Sequence, residues 1–199
     1  MRTSRLEAFS DGVFAIAMTL LVLEIRVNPT GDESLADALL DDWPSYLAYA
    51  TSFLTIAVMW VNHHAVFDLV ARADRAILFL NSLLLMLVAF VPFPTRLIAE
   101  NLRLGEEKTA AVFYGLTLLL VGAMFQAVWR YVATGRRLIR PEVDQEEVDD
   151  ITRSFNPGIP VYGLATAVAF LSPTTSIVIY LALAVFYALP AQLYRRRRR

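Results

Sequence analysis

The residues able to do chemistry in this chain are few and sit inside greasy surroundings. Asp11 stands beside Ser10, with Arg5 six positions upstream and an apolar run over residues 13–23 downstream. A second apolar stretch closes on Trp60, Asn62, His63 and His64. Acids and histidines in such segments are costly to bury and mark candidate functional sites. Asp11 with His63 or His64 can relay protons, because histidine titrates near neutrality. The same groups can instead form a polar knot that fixes how two helices pack. A metal site on the two histidines is disfavoured. Adjacent residues point about 100° apart on a helix, and the chain has no cysteine and no third histidine to complete a shell.

These groups need helices to hold them. Of 199 residues, 57% are hydrophobic and they come in long blocks, which points to an all-α integral membrane protein. Six spans are expected, over about 6–25, 45–67, 76–97, 109–131, 156–171 and 174–194. Trp43 and Tyr46 read as interfacial anchors of the second span. Pro92 and Pro94 predict a kink or early stop in the third, and Pro157, Gly158 and Pro160 interrupt the fifth. A short amphipathic helix is expected over residues 34–40, and 135–153 is the longest polar segment. Fourteen basic residues then fall on the side of the termini and four on the other, so the chain is expected in the cell membrane, multi-pass, with both termini cytoplasmic.

This topology puts Asp11 about five residues into the first span and the histidines about five from the end of the second. At ~1.5 Å per residue, both lie roughly 7–9 Å from the cytoplasmic edge. Ser10 and Asp11 can therefore meet a histidine, Asn62 or the Trp60 indole N–H. Further along, Ile16, Leu20 and Leu23 share one helical face with Thr19 beside them. By periodicity alone such a stripe is core or lipid contact.

Several functions are set aside. No HExxH, GxSxG or paired-carboxylate arrangement lies within a span, so no enzyme is expected. No cofactor is implied. The basic tail over residues 195–199 abuts a span and points to anionic lipid, not nucleic acid. A proton-coupled secondary transporter using Asp11 and His63 or His64 stays open as the alternative, although no internal repeat is visible. No TVGYG-like carbonyl filter is present, so an ion path would need another selecting device, such as an apolar constriction.

The first span, RLEAFSDGVFAIAMTLLVLEI, resembles the first helix of the transmembrane protein 175 potassium channels, especially their short prokaryotic members. The shared pattern is Arg-x-x-x-Phe-Ser-Asp, present as Arg5, Phe9, Ser10 and Asp11, and the WVNHH stretch from Trp60 to His64 is similar to the family's second helix. The resemblance implies a homotetramer of six-span subunits in the lipid bilayer, without a P-loop filter, with the first helices lining a central pore for K+ ions. It places the pore constriction on Ile16, Leu20 and Leu23, with Thr19 as the adjacent hydroxyl. It implies that Arg5, Phe9, Ser10 and Asp11 hold the pore helix against its neighbours, together with Trp60 and one of the two histidines.

Overall fold

The computed structural model describes residues 3–27, 29, 34–101 and 106–188, and among them the chain is entirely helical apart from its connections and one isolated β-bridge. Helix α1 (Thr3–Leu20) buries Leu6, Ser10, Phe14 and Ala17, a stripe at spacings of four, four and three that winds along one face. It tightens into a 3-10 turn, Leu21–Glu24, and ends where Ile25 turns extended. Next comes α2 (Leu35–Asp41), close to the expected amphipathic helix, with the Ser34 side chain capping the Asp37 amide.

Helix α3 (Trp43–Asp68) follows, with Pro44 in its first turn, where no amide partner is needed. Asp74 caps α4 (Arg75–Phe90), and the predicted kink falls at Val91. There Pro92 opens α5 (Pro92–Asn101), because proline has no N–H with which to continue the preceding ladder. Helix α6 (Glu107–Ala133) is the longest described. It stops where Gly135 takes a positive φ of 62°, open to glycine at little cost.

The polar segment after α6 contains a helix that mean polarity hides. Helix α7 (Gln145–Phe155) turns Val148 inward, while the Trp129 indole of α6 donates to Thr152 at 2.9 Å and its ring meets Phe155 edge-on. The hairpin of α8 (Gly158–Val168) and α9 (Pro173–Ala188) completes the described chain. Four helical stretches are long and apolar enough to cross a membrane: Thr3–Glu24, Trp43–Asp68, Arg75–Asn101 and Glu107–Arg136. This is an integral membrane protein. The 11 residues of α8 rise only about 17 Å, against roughly 30 Å for a bilayer core. The end of the expected sixth span (189–194) and the basic tail (195–199) lie outside the described residues, as do positions 28, 30–33 and 102–105.

Close packing brings α6 against the hairpin at Gly115. A Cβ there would meet the Tyr180 hydroxyl and the Thr166 Oγ1 and Cγ2 atoms, the latter two at 2.6 and 2.8 Å. Thr166 Oγ1 and the Tyr180 hydroxyl are themselves bonded at 2.7 Å. Gly115→Ala is therefore expected to destabilise the fold by about 1–3 kcal/mol, as overpacking does. A thermal midpoint equal to that of the wild type in detergent would show that the seam can open freely.

At the other end of α6, two loops are tied together. The α3–α4 loop pairs with the α6–α7 loop through Ala71 N–H to Leu138 O (2.8 Å) and Arg140 N–H to Leu69 O (2.9 Å). Asp74 anchors this latch, accepting from the Ile77 amide at 3.0 Å, from the Tyr131 hydroxyl at 2.7 Å and from Arg137 at 3.3 Å. The Ile77 amide first and the Tyr131 hydroxyl second hold its carboxyl below the ordinary value of 3.8. A depressed acid stabilises the fold above its unfolded value and loses that contribution as pH falls through the folded one. Asp74→Asn is thus expected to lower the thermal midpoint at neutral pH, and the gap to wild type should close below pH 3.8. A gap independent of pH would show that the charge contributes nothing.

Candidate pore helix and its polar anchor

Helix α1 has two faces with different partners. On the inner face the Ser10 hydroxyl donates to the Leu6 carbonyl at 2.8 Å and accepts from the Asn81 amide of α4 at 3.0 Å. The Asn81 carbonyl in turn bonds His63 Nε2 of α3 at 2.8 Å, so His63 carries its proton there. Ser10 and Asn81 are fully buried and His63 is 2% exposed. Phe14 meets the His63 ring edge-on at 5.3 Å, and Phe67 stacks on it at 4.4 Å. Three helices are thereby pinned at one depth by a chain in which each buried polar group has a partner.

The histidine ambiguity is resolved by this chain. His63 is the buried one, packed against Phe14 of α1, while His64 is exposed along the α1–α3 seam and pairs with Asp68 at 3.6 Å, four residues on along α3. Of the three partners expected for the Ser10–Asp11 pair, Asp11 takes the Trp60 indole and neither histidine. Asp11 accepts from the Trp60 indole N–H at 2.8 Å, on the exposed flank of the α1–α3 seam. Asn62 is also elsewhere. One residue before His63 turns it by about 100°, to the far side of α3, where it lines a cavity of about 90 Å³ with Thr55, Gln126 and Tyr162. Arg5 and Phe9 are exposed within the single chain.

Asn81 is the residue that sequence reasoning missed. Its position near the start of the third span was visible, but which way it faced was not. A signal existed, because a polar amide four residues before Leu85 in an apolar helix has few alternatives to an interhelical bond.

The outer face of α1 is left largely uncovered by the described residues. Ile16, Leu20 and Leu23 are 60%, 41% and 62% exposed. Leu23 belongs to the 3-10 turn and not to the α-helix proper, yet it remains outward. Thr19 lies in the same exposed strip and spends its hydroxyl on its own helix, 3.0 Å from both the Ala15 and Ile16 carbonyls. The strip thus offers no free donor among these four side chains, and the Thr19 oxygen is its single polar atom.

The profile of the family described as "Endosomal/lysosomal potassium channel TMEM175" matches residues 5–92, from Arg5 through α1, α3 and α4. A potassium channel of Chamaesiphon minutus is 48% identical over 94% of this chain and 94% of its own length. A potassium channel of Streptomyces collinus is 45% identical over 93% of this chain and 91% of its own. The endosomal/lysosomal proton channel TMEM175 of Homo sapiens is 36% identical over 63% of this chain, which spans only 27% of that longer protein.

Among solved structures, a lysosomal potassium-selective channel TMEM175 homolog from Chamaesiphon minutus superposes with a TM-score of 0.85 at 48% identity, covering 94% of this chain and 96% of that one. With near-complete coverage by relatives at this identity, the chain belongs to the TMEM175 channel family.

Proposed function

We propose that this chain is the subunit of a homotetrameric potassium channel of the cell membrane, in which α1 lines the pore. The observation that carries the reading is the division of α1. One face is fastened to α3 and α4 by Ser10, Asn81 and His63, and the opposite face offers Ile16, Leu20 and Leu23 uncovered. A single chain with one such helix cannot enclose an aqueous path, so copies must supply the other walls. Around a common axis the three side chains stack as apolar rings. An ion passing them sheds part of its hydration, which costs less for K+ than for the more tightly hydrated Na+. Selection by this device is real but softer than by a carbonyl filter, and a small narrowing lets the rings dewet and close.

The relatives named potassium channels across nearly the whole chain support the ion. The full plan of six spans with cytoplasmic termini rests on the basic-residue asymmetry. The coupled-transporter alternative needs a relay between Asp11 and a histidine. Among the described residues these groups are separately engaged, Asp11 with Trp60, His63 with Asn81 and His64 with Asp68.

Reconstitution into liposomes tests the reading. Under a K+ gradient, the vesicles should develop a K+ diffusion potential without an imposed proton gradient. A potential that ignores the K+ gradient, or flux that saturates and requires protons, overturns it.

A further inference from the structure

The cluster left unused by the pore and its anchor lies where α1 begins and α3 ends. Glu7 of α1 faces His64 and Asp68 of α3, and one ligand atom from each lies within 4.8 Å of the others. His64 Nε2 and Asp68 Oδ2 are already 3.6 Å apart. Donors at the usual metal distances of about 2.0–2.2 Å sit roughly 3.4 Å from one another around a tetrahedral ion. The pair on α3 meets that spacing, and Glu7 closes the remainder by turning its own side chain.

The arrangement is preset in ways that an ordinary surface ion pair is not. The His64 ring is tilted by 27° to the Trp60 indole beside it, at 6.5 Å between centroids, and that indole is held by Asp11 on α1. The helices carrying the ligands are fixed against each other within about one turn of them by Ser10, Asn81 and His63. His63, the other histidine, is committed to Asn81 and does not compete.

We propose that Glu7, His64 and Asp68 form a binding site for a divalent transition-metal ion that staples the start of α1 to the end of α3. One imidazole and two carboxylates suit zinc-like and cobalt-like ions better than Ca2+ or Mg2+, which take oxygen ligands. The two carboxylates balance the charge of a dication, and the fourth position is left to water. Spacing along the sequence did not reveal this site, because its third ligand comes from another helix and the adjacent histidines diverge. Restraint of the helix that lines the proposed pore is the functional consequence, and that part rests on the channel reading.

The test uses the full chain, purified in detergent with any affinity tag removed and treated with chelator. Co2+ serves as the probe, read by its visible absorption and by calorimetry, with the thermal midpoint as a second readout. One Co2+ should bind per chain and raise the midpoint, since an ion that binds only the folded state stabilises it. His64→Gln, Glu7→Gln and Asp68→Asn should each weaken binding at least tenfold, and all three side chains are far enough from the core for the fold to survive. Absence of saturable binding overturns the proposal, as does binding that Glu7→Gln leaves unchanged, since the staple requires a ligand from α1. Neither readout depends on ion flux, so failure of the channel reading and failure of the site are told apart.

Discussion

Leu20→Asn is expected to increase K+ flux through the reconstituted protein about fivefold and to bring its preference for K+ over Na+ toward unity. Leu20 lies mid-stripe, between Ile16 and Leu23, on the face of α1 that the described residues leave largely uncovered. An asparagine in every copy would place amide groups where an ion otherwise meets only methyl groups, lowering the dehydration barrier for both cations. A barrier lower by only about 1 kcal/mol speeds passage roughly fivefold. The gain should be larger for Na+, because its tighter hydration makes it the ion more strongly rejected by an apolar ring. Ile16→Asn should act in the same direction. As a control, Leu164→Asn changes a leucine on α8 that is still more exposed than Leu20 and should leave flux and selectivity alone. If Leu20→Asn and Leu164→Asn give indistinguishable flux and selectivity, the constriction does not lie on this face of α1.

The second large effect is expected at Asn81. Replacing it with leucine removes the link between Ser10 and His63 and leaves both buried without the partner they now have. A buried polar group stripped of its partner costs about 1–3 kcal/mol, so Asn81→Leu should lower the thermal midpoint sharply and weaken the seat of α1. Ser10→Ala alone leaves the Asn81 amide without its acceptor and should also destabilise. Combined, the two substitutions should cost less than their sum, with a coupling of about 0.5–3 kcal/mol, because the second removes a group already orphaned by the first. Strict additivity in a double-mutant cycle would mean that the chain is not a cooperative unit. Asp11→Asn, on the exposed flank, should cost far less in stability, since its bond to Trp60 lies open to its surroundings.

Much of this protein was readable from residue order alone. The apolar blocks predicted helices that cross a membrane, and four stretches of the required length formed where four of the spans were expected. The kink fell at Pro92, where the missing amide demanded it. Depth arithmetic alone brought the Ser10–Asp11 pair and the WVNHH stretch to one level, and the structure joins them there through Asp11 with Trp60 and Ser10 with His63 by way of Asn81. Helix α7 went unseen because its window is polar on average, while only its period carries the information that Val148, Ile151 and Phe155 share a face.

The sequence by itself determined which residues are polar, how far along their helices they sit, and that the first helix carries both an acid and an apolar stripe. Those properties are local, fixed by composition and by a rise of about 1.5 Å per residue. Only tertiary structure decided which partners meet. It gave His63 and not His64 to the interior, inserted Asn81 between it and Ser10, sent Asn62 to a separate cavity, and set Glu7 opposite His64 and Asp68. The physical reason is rotational. A turn of about 100° per residue makes neighbours in sequence face different helices, and the azimuth of each helix is fixed only when all of them pack.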